Sequence, residues 1–344
     1  MKLKVWLLWG VKLGLVSLIL YWLGTSGRLD LSKLLLLVTH PGLSLAALLL
    51  MLFGGALLVT LRWKLLMDAQ GSDLGLGRLV SIHWISLFFA SFLPGSVSGD
   101  GVKAFYSLRE SQGKLGKTSV LTSLVVDRIL GLAGLIFLGL LAFLATWKQS
   151  IRNYQVEMLG LLMAGVFVAL ALFLALIMRR QREAGDRVGE LLARLPMGGF
   201  LVKVYQGFRA YRHHRMALVW GFILSFLGQG FFALAVWVIT PLSCGCDAPV
   251  SAVFLATPLG ELSTVIPVGP LGIGVGHGAF EYLFAIQGLP HGADTFSLLI
   301  AVRVVLGLIG GLPYLLYKKR DGAPSELSEL SSEEACTANG DALK

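Results

Sequence analysis

The sequence predicts an all-α, polytopic integral membrane protein: an inverted repeat of two units, with about six full spans and two re-entrant hairpins. Three observations support this fold class. Of the 344 residues, 56% are hydrophobic and 14% are charged, whereas soluble domains carry about 25% charged residues. Apolar runs of roughly the 20 residues that cross a bilayer recur along the chain. Two stretches rich in Pro and Gly interrupt this pattern, and they resemble each other.

The two broken stretches are residues 93–102 and 266–275, each with a Pro near its start and a Val at its end. Pro removes a backbone donor, and Gly permits turns that other residues resist. In a bilayer, backbone outside a helix survives only where protein buries it or a watery cavity wets it. We therefore expect both stretches to line a site. The residues that break the helices are Pro94, Gly95, Gly99, Pro267, Gly269, Pro270, Gly272, Gly274 and Gly276.

Each broken stretch is followed by an apolar helix that carries an arginine, Arg128 in the first half and Arg303 in the second. The first prolines of the two stretches lie 173 residues apart, and the two arginines lie 175 residues apart. This nearly constant spacing indicates an internal repeat, with one unit at about 5–147 and the other at about 156–318. Together the units form one membrane domain, residues 1–320.

In the first unit, the apolar run 5–23 is interpreted as an uncleaved first span, because it is long for a signal peptide and no A-x-A site follows it. A second span covers 43–61 and stops at the charged group that begins with Arg62. Residues 79–93 are apolar but too short to cross the bilayer, and the helix breaks after them. A long helix over 119–147 completes the unit.

The second unit begins with a span at 156–178. The connection 179–215 then carries nine Arg or Lys residues and three acidic ones, with apolar residues at helical spacing. This pattern is typical of amphipathic helices on a membrane surface. The remaining elements are a span at 216–240, the broken region 249–288, a last span at 295–317 and an acidic tail at 321–344 that we expect to be disordered.

The loop charges indicate the orientation, because cytoplasmic loops carry an excess of Lys and Arg. If residues 79–112 crossed the membrane fully, the strongly basic connection 179–215 would lie outside. If they enter and return, every strongly basic loop is cytoplasmic, and 249–290 becomes a matching hairpin from the outer side. The N- and C-termini are then cytoplasmic, and the two units have opposite orientations.

Two arginines near the middle of the bilayer are the main candidate site residues. Arg128 and Arg303 lie about ten and nine residues into their helices, which places each ~15 Å deep in a core of ~30 Å. Such an arginine costs about 2.5–3.5 kcal/mol, so it needs an acidic partner or water. One expected pair joins Asp127 to Arg303, and another joins Arg128 to Asp100 or Glu261. These pairs either pin the helices together or form a charged cavity that holds a lipid phosphate.

Other polar residues of the apolar segments receive simpler interpretations. His277 and Glu281 share one helix face, which suits hydrogen bonding or a proton relay. A metal site needs a third ligand that the sequence does not offer, so we expect no metal and no cofactor. His83 is expected to be a buried histidine with satisfied hydrogen bonds, and the cysteines to be incidental. The net charge of +9 lies between apolar spans, which argues against nucleic acid as a partner.

At these motifs the chain resembles the membrane domain of lysyl-phosphatidylglycerol synthases, which recurs alone as a flippase-like family of bacterial and archaeal membrane proteins. The resemblance covers about residues 5–318. The segment after Arg320 is too short for an aminoacyl-transfer domain, so we expect no synthesis of lysyl-phosphatidylglycerol by this chain. The matching motifs are Leu93-Pro94-Gly95, Gly99-Asp100, Asp127-Arg128 and the Gly-rich stretch from Pro267 to Glu281.

The resemblance implies a flippase or scramblase that moves a phospholipid or lipid-linked substrate between leaflets of a bacterial or archaeal cytoplasmic (inner) membrane. Two alternatives stay open. One is an intramembrane enzyme acting on lipid head groups, with Asp100, Asp127 and His277 as acid–base candidates. The other is an accessory subunit of a lipid-modifying or glycosylation pathway. The sequence has no convincing catalytic motif, so we expect a transporter and not an enzyme.

The expected partners follow from this interpretation. A membrane lipid with an anionic or lipid-linked head group is the expected ligand. The protein partners considered are a second copy of the chain, as a homodimer, and a lipid-modifying enzyme. The substrate-binding candidates are Asp100, Asp127, Arg128, Glu261, His277, Glu281 and Arg303.

Overall fold

The computed structural model describes residues 31–92, 98–111, 113–147, 154–178, 210–265 and 270–320, together with a few positions within 21–25 and 198–206. Every regular element among these residues is helical, which confirms the predicted all-α fold. The longer helices are α1 (Pro41–Ala69), α2 (Leu76–Phe92), α3 (Ser98–Glu110), α4 (Lys117–Ala145), α5 (Tyr154–Met178), α6 (Arg215–Cys244), α7 (Val250–Ser263), α8 (Val275–Ile286) and α9 (Gly292–Arg320).

Some of the predicted elements fall outside the described residues. They are the first span at 5–23, most of the connection 179–215, the tail 321–344, and the break residues Pro94, Gly95, Pro267 and Gly269. The limits of the two repeat units also stay a prediction.

Five of the described helices are long and apolar enough to cross a membrane: α1, α4, α5, α6 and α9. Apart from the end of α1, their limits lie within about four residues of those predicted, because long apolar runs bounded by charged or turn-forming residues leave few alternatives. Helices α2 and α7 are apolar but shorter than a span. The protein is therefore a multi-span membrane protein with two additional pairs of short helices.

Helix α1 runs further than predicted. The span predicted to end at residue 61 continues to Ala69 and buries Arg62 inside the protein. Its middle, Leu52–Leu58, widens into a π-helical segment, a feature that often marks functional sites. At Gly54 a Cβ atom would lie 2.6 Å from Cβ of Phe231. Glycine therefore allows α1 to pack closely on α6 at this point.

The short helices form two hairpins, α2 with α3 and α7 with α8. In the second hairpin a 3₁₀ turn at Pro270–Gly272 precedes α8. Gly272 and Gly274 have φ values of +76° and +91°, in the region that favours glycine. A Cβ on Gly272 would also lie 2.5 Å from Cβ of Thr264. The chain reverses here because both residues lack a side chain.

The two hairpins meet inside the helix bundle. The turn Pro270–Gly272 contacts α2, and α2 also packs along the last span, α9. In α9, a Cβ at Gly307 would lie 2.1 Å from Oγ of Ser91, and one at Gly310 would lie 2.2 Å from the carbonyl oxygen of Trp84. The backbones of α2 and α9 therefore touch through a glycine seam.

The main hydrophobic core lies between α6 and the second hairpin with α9. Phe280, Phe284 and Phe296 are fully buried there. At the end of α6, Cys244 and Cys246 are joined by a disulfide bond. The expectation of incidental cysteines is therefore wrong for this pair.

Candidate functional site

A cavity of about 280 Å³ lies where the two hairpins approach each other. The π-helical segment of α1, helix α2, helix α6, the turn of the second hairpin and helix α9 all contribute to its wall. Most of the lining is apolar, and Arg303 is its one charged lining residue among those described. The lining residues are Met51, Gly55, Ala56, Leu87, Ala90, Ser91, Phe232, Leu271, Arg303, Leu306 and Gly307.

Arg303 is held in place by one carboxylate and one aromatic ring. Its Nη2 donates a 2.7 Å hydrogen bond to Oε1 of Glu261 on α7, and its Cζ lies 4.8 Å from the centre of the Phe232 ring. Both ion-pair side chains are largely buried, at 18% and 21% exposure. The second oxygen of Glu261, Oε2, is buried without a hydrogen-bond partner among the described residues. In this pair the guanidinium faces the cavity, and Oε2 of Glu261 can still accept a hydrogen bond.

Arg128 belongs to a second pair, in the first half of the chain. Its Nε donates to Oδ2 of Asp100, on α3 of the first hairpin. The Arg128 side chain is 41% exposed, and it is not among the residues that line the cavity. The predicted pair of Arg128 with Asp100 is confirmed. In each half, an acidic residue of the hairpin therefore binds an arginine of a spanning helix.

The expected pair between Asp127 and Arg303 is wrong. Asp127 accepts a 2.6 Å hydrogen bond from Nε of Arg62, and Nη1 of Arg62 donates a 2.8 Å hydrogen bond to Oγ of Ser225. Each side chain of this pair is only 7% exposed. Asp127 therefore faces α1, and the Arg62 that it binds also contacts α6.

Arg62 is a buried residue that the sequence analysis missed, because an arginine after an apolar run usually marks the end of a span. One feature of the sequence is consistent with the buried position of Arg62. Gly131 lies one turn after Asp127, and a Cβ there would lie 3.2 Å from Nη1 of Arg62. A small residue next to a buried acid leaves room for a guanidinium.

His277 and Glu281 have partners outside the cavity lining. The N–H of Gly274 approaches Nδ1 of His277 at 3.3 Å, so the ring proton is on Nε2, which donates to Oγ of Ser297 at 3.0 Å. Glu281 accepts a 3.1 Å hydrogen bond from the N–H of Ala293, at the start of α9. These contacts hold α8 against α9.

His83 and Lys103 are two further buried polar residues near the first hairpin. His83 is buried as predicted, but neither of its ring nitrogens has a hydrogen-bond partner among the described residues. Lys103 lies on α3, which carries several charged residues, yet it is buried to 5% exposure. The first half of the protein therefore buries more basic side chains than the sequence indicated.

The helices and the site together define the class of protein. It is a multi-span membrane protein in which two broken hairpins enclose a mainly apolar cavity with an arginine–glutamate pair.

The family model described as Lysylphosphatidylglycerol synthase TM region matches residues 9–312, and the chain belongs to this family. Among curated proteins, a UPF0104 membrane protein of Methanothermobacter thermautotrophicus (strain Delta H) is 24% identical over 287 residues, which cover 77% of this chain and 80% of the relative. No solved structure matches the chain.

Proposed function

We propose that this protein is a flippase or scramblase that moves a phospholipid or lipid-linked substrate between leaflets. The cavity between the hairpins carries the proposal, because it joins apolar walls to one guanidinium deep in the helix bundle. An arginine suits a phosphate, since its planar fork donates two hydrogen bonds at once. The family description names a phospholipid, lysylphosphatidylglycerol, which supports a lipid as the ligand.

The Arg303–Glu261 pair suggests how a charged head group enters an apolar cavity. A buried arginine without an anion would be strongly destabilising, by about 3–5 kcal/mol. Glu261 supplies the anion when the cavity is empty, and a lipid phosphate can bind guanidinium N–H groups that Glu261 does not occupy when the cavity is filled. The guanidinium then stays compensated through the whole exchange. Rocking of the helices around the cavity would expose it to one leaflet and then to the other.

The loop charges support an orientation with both termini in the cytoplasm of a bacterium or archaeon. In this orientation residue 245 lies on the outer side, where the disulfide of Cys244 and Cys246 would persist, because disulfides are stable in oxidising compartments. On the cytoplasmic side, a surface cavity of about 600 Å³ is lined in part by Arg212 and Arg215. Each such cation attracts anionic lipid by about 1 kcal/mol near a membrane surface.

Enzymatic activity is the weaker alternative. Asp100, Asp127 and His277 would have to act together as acids and bases, but each is bound to a different partner. We therefore propose transport without catalysis. An accessory role in lipid modification would instead require an enzyme that co-purifies with the protein and no lipid movement by the protein alone.

The test is lipid movement in liposomes that contain the purified protein and a fluorescent phospholipid or lipid-linked sugar. We expect the wild type to exceed empty liposomes and Arg303→Gln to be slower by roughly tenfold to a hundredfold. That factor corresponds to a charge-assisted hydrogen bond of about 1.5–3 kcal/mol. Arg303→Lys, which keeps the charge but loses the fork, should be intermediate.

Two controls separate transport from folding. Arg78→Gln removes an arginine that is 54% exposed and pairs with Glu110 at 3.5 Å, so it should move lipid like the wild type. The double variant Arg303→Gln with Glu261→Gln removes both charges of the cavity pair and should fold but not transport. A wild-type rate equal to that of empty liposomes, with every lipid tried, would exclude the proposed function.

A further inference from the structure

Lys103, on α3 of the first hairpin, is a buried cation with an unusual environment. Its side chain is 5% exposed, and its Nζ lies 5.1 Å from the centre of the Trp63 ring on α1. No carboxylate oxygen of the described residues lies within 4.0 Å of this amine. A buried ammonium group normally has a carboxylate partner, because an isolated charge in an apolar medium is very costly.

The two nearby carboxylates are already bound to arginines. Asp127 accepts its hydrogen bond from Arg62, and Asp100 accepts from Arg128. Guanidinium groups cannot lose their protons in proteins, so these two pairs stay charged. Each pair is neutral as a whole, which leaves no negative charge to compensate a protonated Lys103.

The polar groups around Lys103 are uncharged: the indole of Trp63 only donates hydrogen bonds, while a neutral His83 ring and the Ser107 hydroxyl can each donate and accept. Nε1 of Trp63, both ring nitrogens of His83 and Oγ of Ser107 are buried without hydrogen-bond partners among the described residues. Ser107 lies one turn after Lys103, on the same face of α3. The charged or titratable groups that face the amine are Arg62 on α1, His83 on α2, Asp100 on α3 itself, and Asp127 and Arg128 on α4.

The charges of this cluster balance only in one state. With a neutral amine, two arginines face two aspartates, and the cluster is electrically neutral. With an ammonium group, three cations face two anions, and the extra charge lies on Lys103, which is 5% exposed. Among the cations, Lys103 alone can change its charge by releasing a proton.

We propose that Lys103 is a proton-binding site, neutral in the packed arrangement of the first hairpin and protonated when α3 is wetted from the aqueous side. The step is Lys–NH₂ + H⁺ ⇌ Lys–NH₃⁺, and the proton comes from bulk water. His83 lies one turn before Leu87, which lines the central cavity, so α2 links the Lys103 cluster to that cavity. Building on the proposed function, this assigns the proton as the ion coupled to lipid movement.

The first experiment tests the charge of Lys103 without any transport. Thermal unfolding is measured in nanodiscs at neutral pH for Lys103→Met, Lys103→Arg and the exposed control Lys114→Met. A neutral amine predicts that Lys103→Met and Lys114→Met keep the wild-type Tm, whereas the permanent charge of Lys103→Arg lowers it by roughly 3 °C or more. Lys103→Gln, which is smaller than arginine and uncharged, should resemble Lys103→Met. The reverse order, with methionine and glutamine destabilising and arginine tolerated, would overturn the proposal.

The second experiment tests the coupling. A pH gradient across the liposomes should shift the steady-state distribution of labelled lipid by up to about tenfold per pH unit for one coupled proton. Lys103→Met and Lys103→Arg should lose this response. If the wild type moves lipid but ignores the gradient, the proposed function holds and the coupling role of Lys103 is wrong. If the wild type moves no lipid at all, the proposed function fails, and the order of the Tm values still decides whether the amine is neutral.

Discussion

Replacing Asp127 by alanine should strongly destabilise the folded protein, because it removes one partner of a buried ion pair. Asp127 and Arg62 are each 7% exposed and lie 2.6 Å apart. The guanidinium would keep only its 2.8 Å hydrogen bond to Ser225. An uncompensated buried charge of this kind costs about 3–5 kcal/mol, and Arg62→Met should cost a similar amount by leaving the carboxylate alone.

The two residues should also be strongly coupled. In the double variant Arg62→Met with Asp127→Leu no charge remains, and apolar side chains of similar volume fill the site. Replacing both partners of a buried pair is often close to neutral. The double variant should therefore be more stable than either single variant, with a coupling energy of at least about 2 kcal/mol.

The assay is reversible unfolding of the purified protein in mixed micelles, measured by the loss of fixed tertiary structure for the wild type, both single variants and the double variant. Lys64 and Asp68, on the same helix, provide the matched control. They form an exposed pair with side chains 25% and 42% accessible, and the corresponding changes should cost only about 0.3–0.5 kcal/mol. Additive single effects of less than about 1 kcal/mol at Arg62 and Asp127 would refute the reasoning.

Two further predictions concern packing and pH. Gly54→Ala should cost about 1–3 kcal/mol by overpacking, since the new Cβ would lie 2.6 Å from Cβ of Phe231. Gly42→Ala, where nothing lies within 4 Å, should stabilise α1 by about 0.5–1 kcal/mol in the same unfolding assay. Burial raises the pKa of Tyr211, whose hydroxyl donates a 3.1 Å hydrogen bond to the carbonyl oxygen of Leu66. Its contribution to stability should be complete below the unfolded-state pKa of roughly 10 and lost as the pH rises above it. Tyr211→Phe should be less stable at neutral pH by about 0.5–1.5 kcal/mol and should lack that alkaline loss. Equal alkaline slopes for Tyr211→Phe and the wild type would contradict the assignment.

The spanning helices could be predicted because each is encoded locally. An apolar run of bilayer length, ended by charges or turn residues, has few alternative structures in lipid. The prediction 119–147 therefore agrees with the observed Lys117–Ala145 to within two residues. The turn of the second hairpin was also visible, because Gly272 and Gly274 adopt conformations that other residues resist.

The partners of the buried charges could not be predicted, since they depend on how distant helices are rotated against each other. Asp127 and Arg62 are 65 residues apart, and the spacing of charges does not show that their helix faces meet. The expected pair of Asp127 with Arg303 would join residues of the two predicted repeat units. Arg303 instead binds Glu261, which lies on the hairpin of the same half of the chain.

Lys103 shows a related limit. Its helix is half polar in sequence, a pattern that normally indicates a solvent-exposed surface. The structure covers α3 with Trp63 of α1 and with Tyr317 of α9, whose ring lies 5.0 Å from that of Tyr106. Burial of α3 therefore depends on two helices, α1 and α9, that are far apart in the sequence.

The glycine seam between α2 and α9 has a mechanical consequence. Helices whose backbones touch at Gly307 and Gly310 cannot easily separate, so we expect α2 and α9 to move together in any conformational change. Because α2 and α9 belong to different predicted repeat units, we do not expect the two units to move as separate rigid bodies. If the protein were expressed as two fragments divided between α4 and α5, each fragment would lack a packing surface that the other supplies. We therefore expect stable insertion only when both fragments are co-expressed.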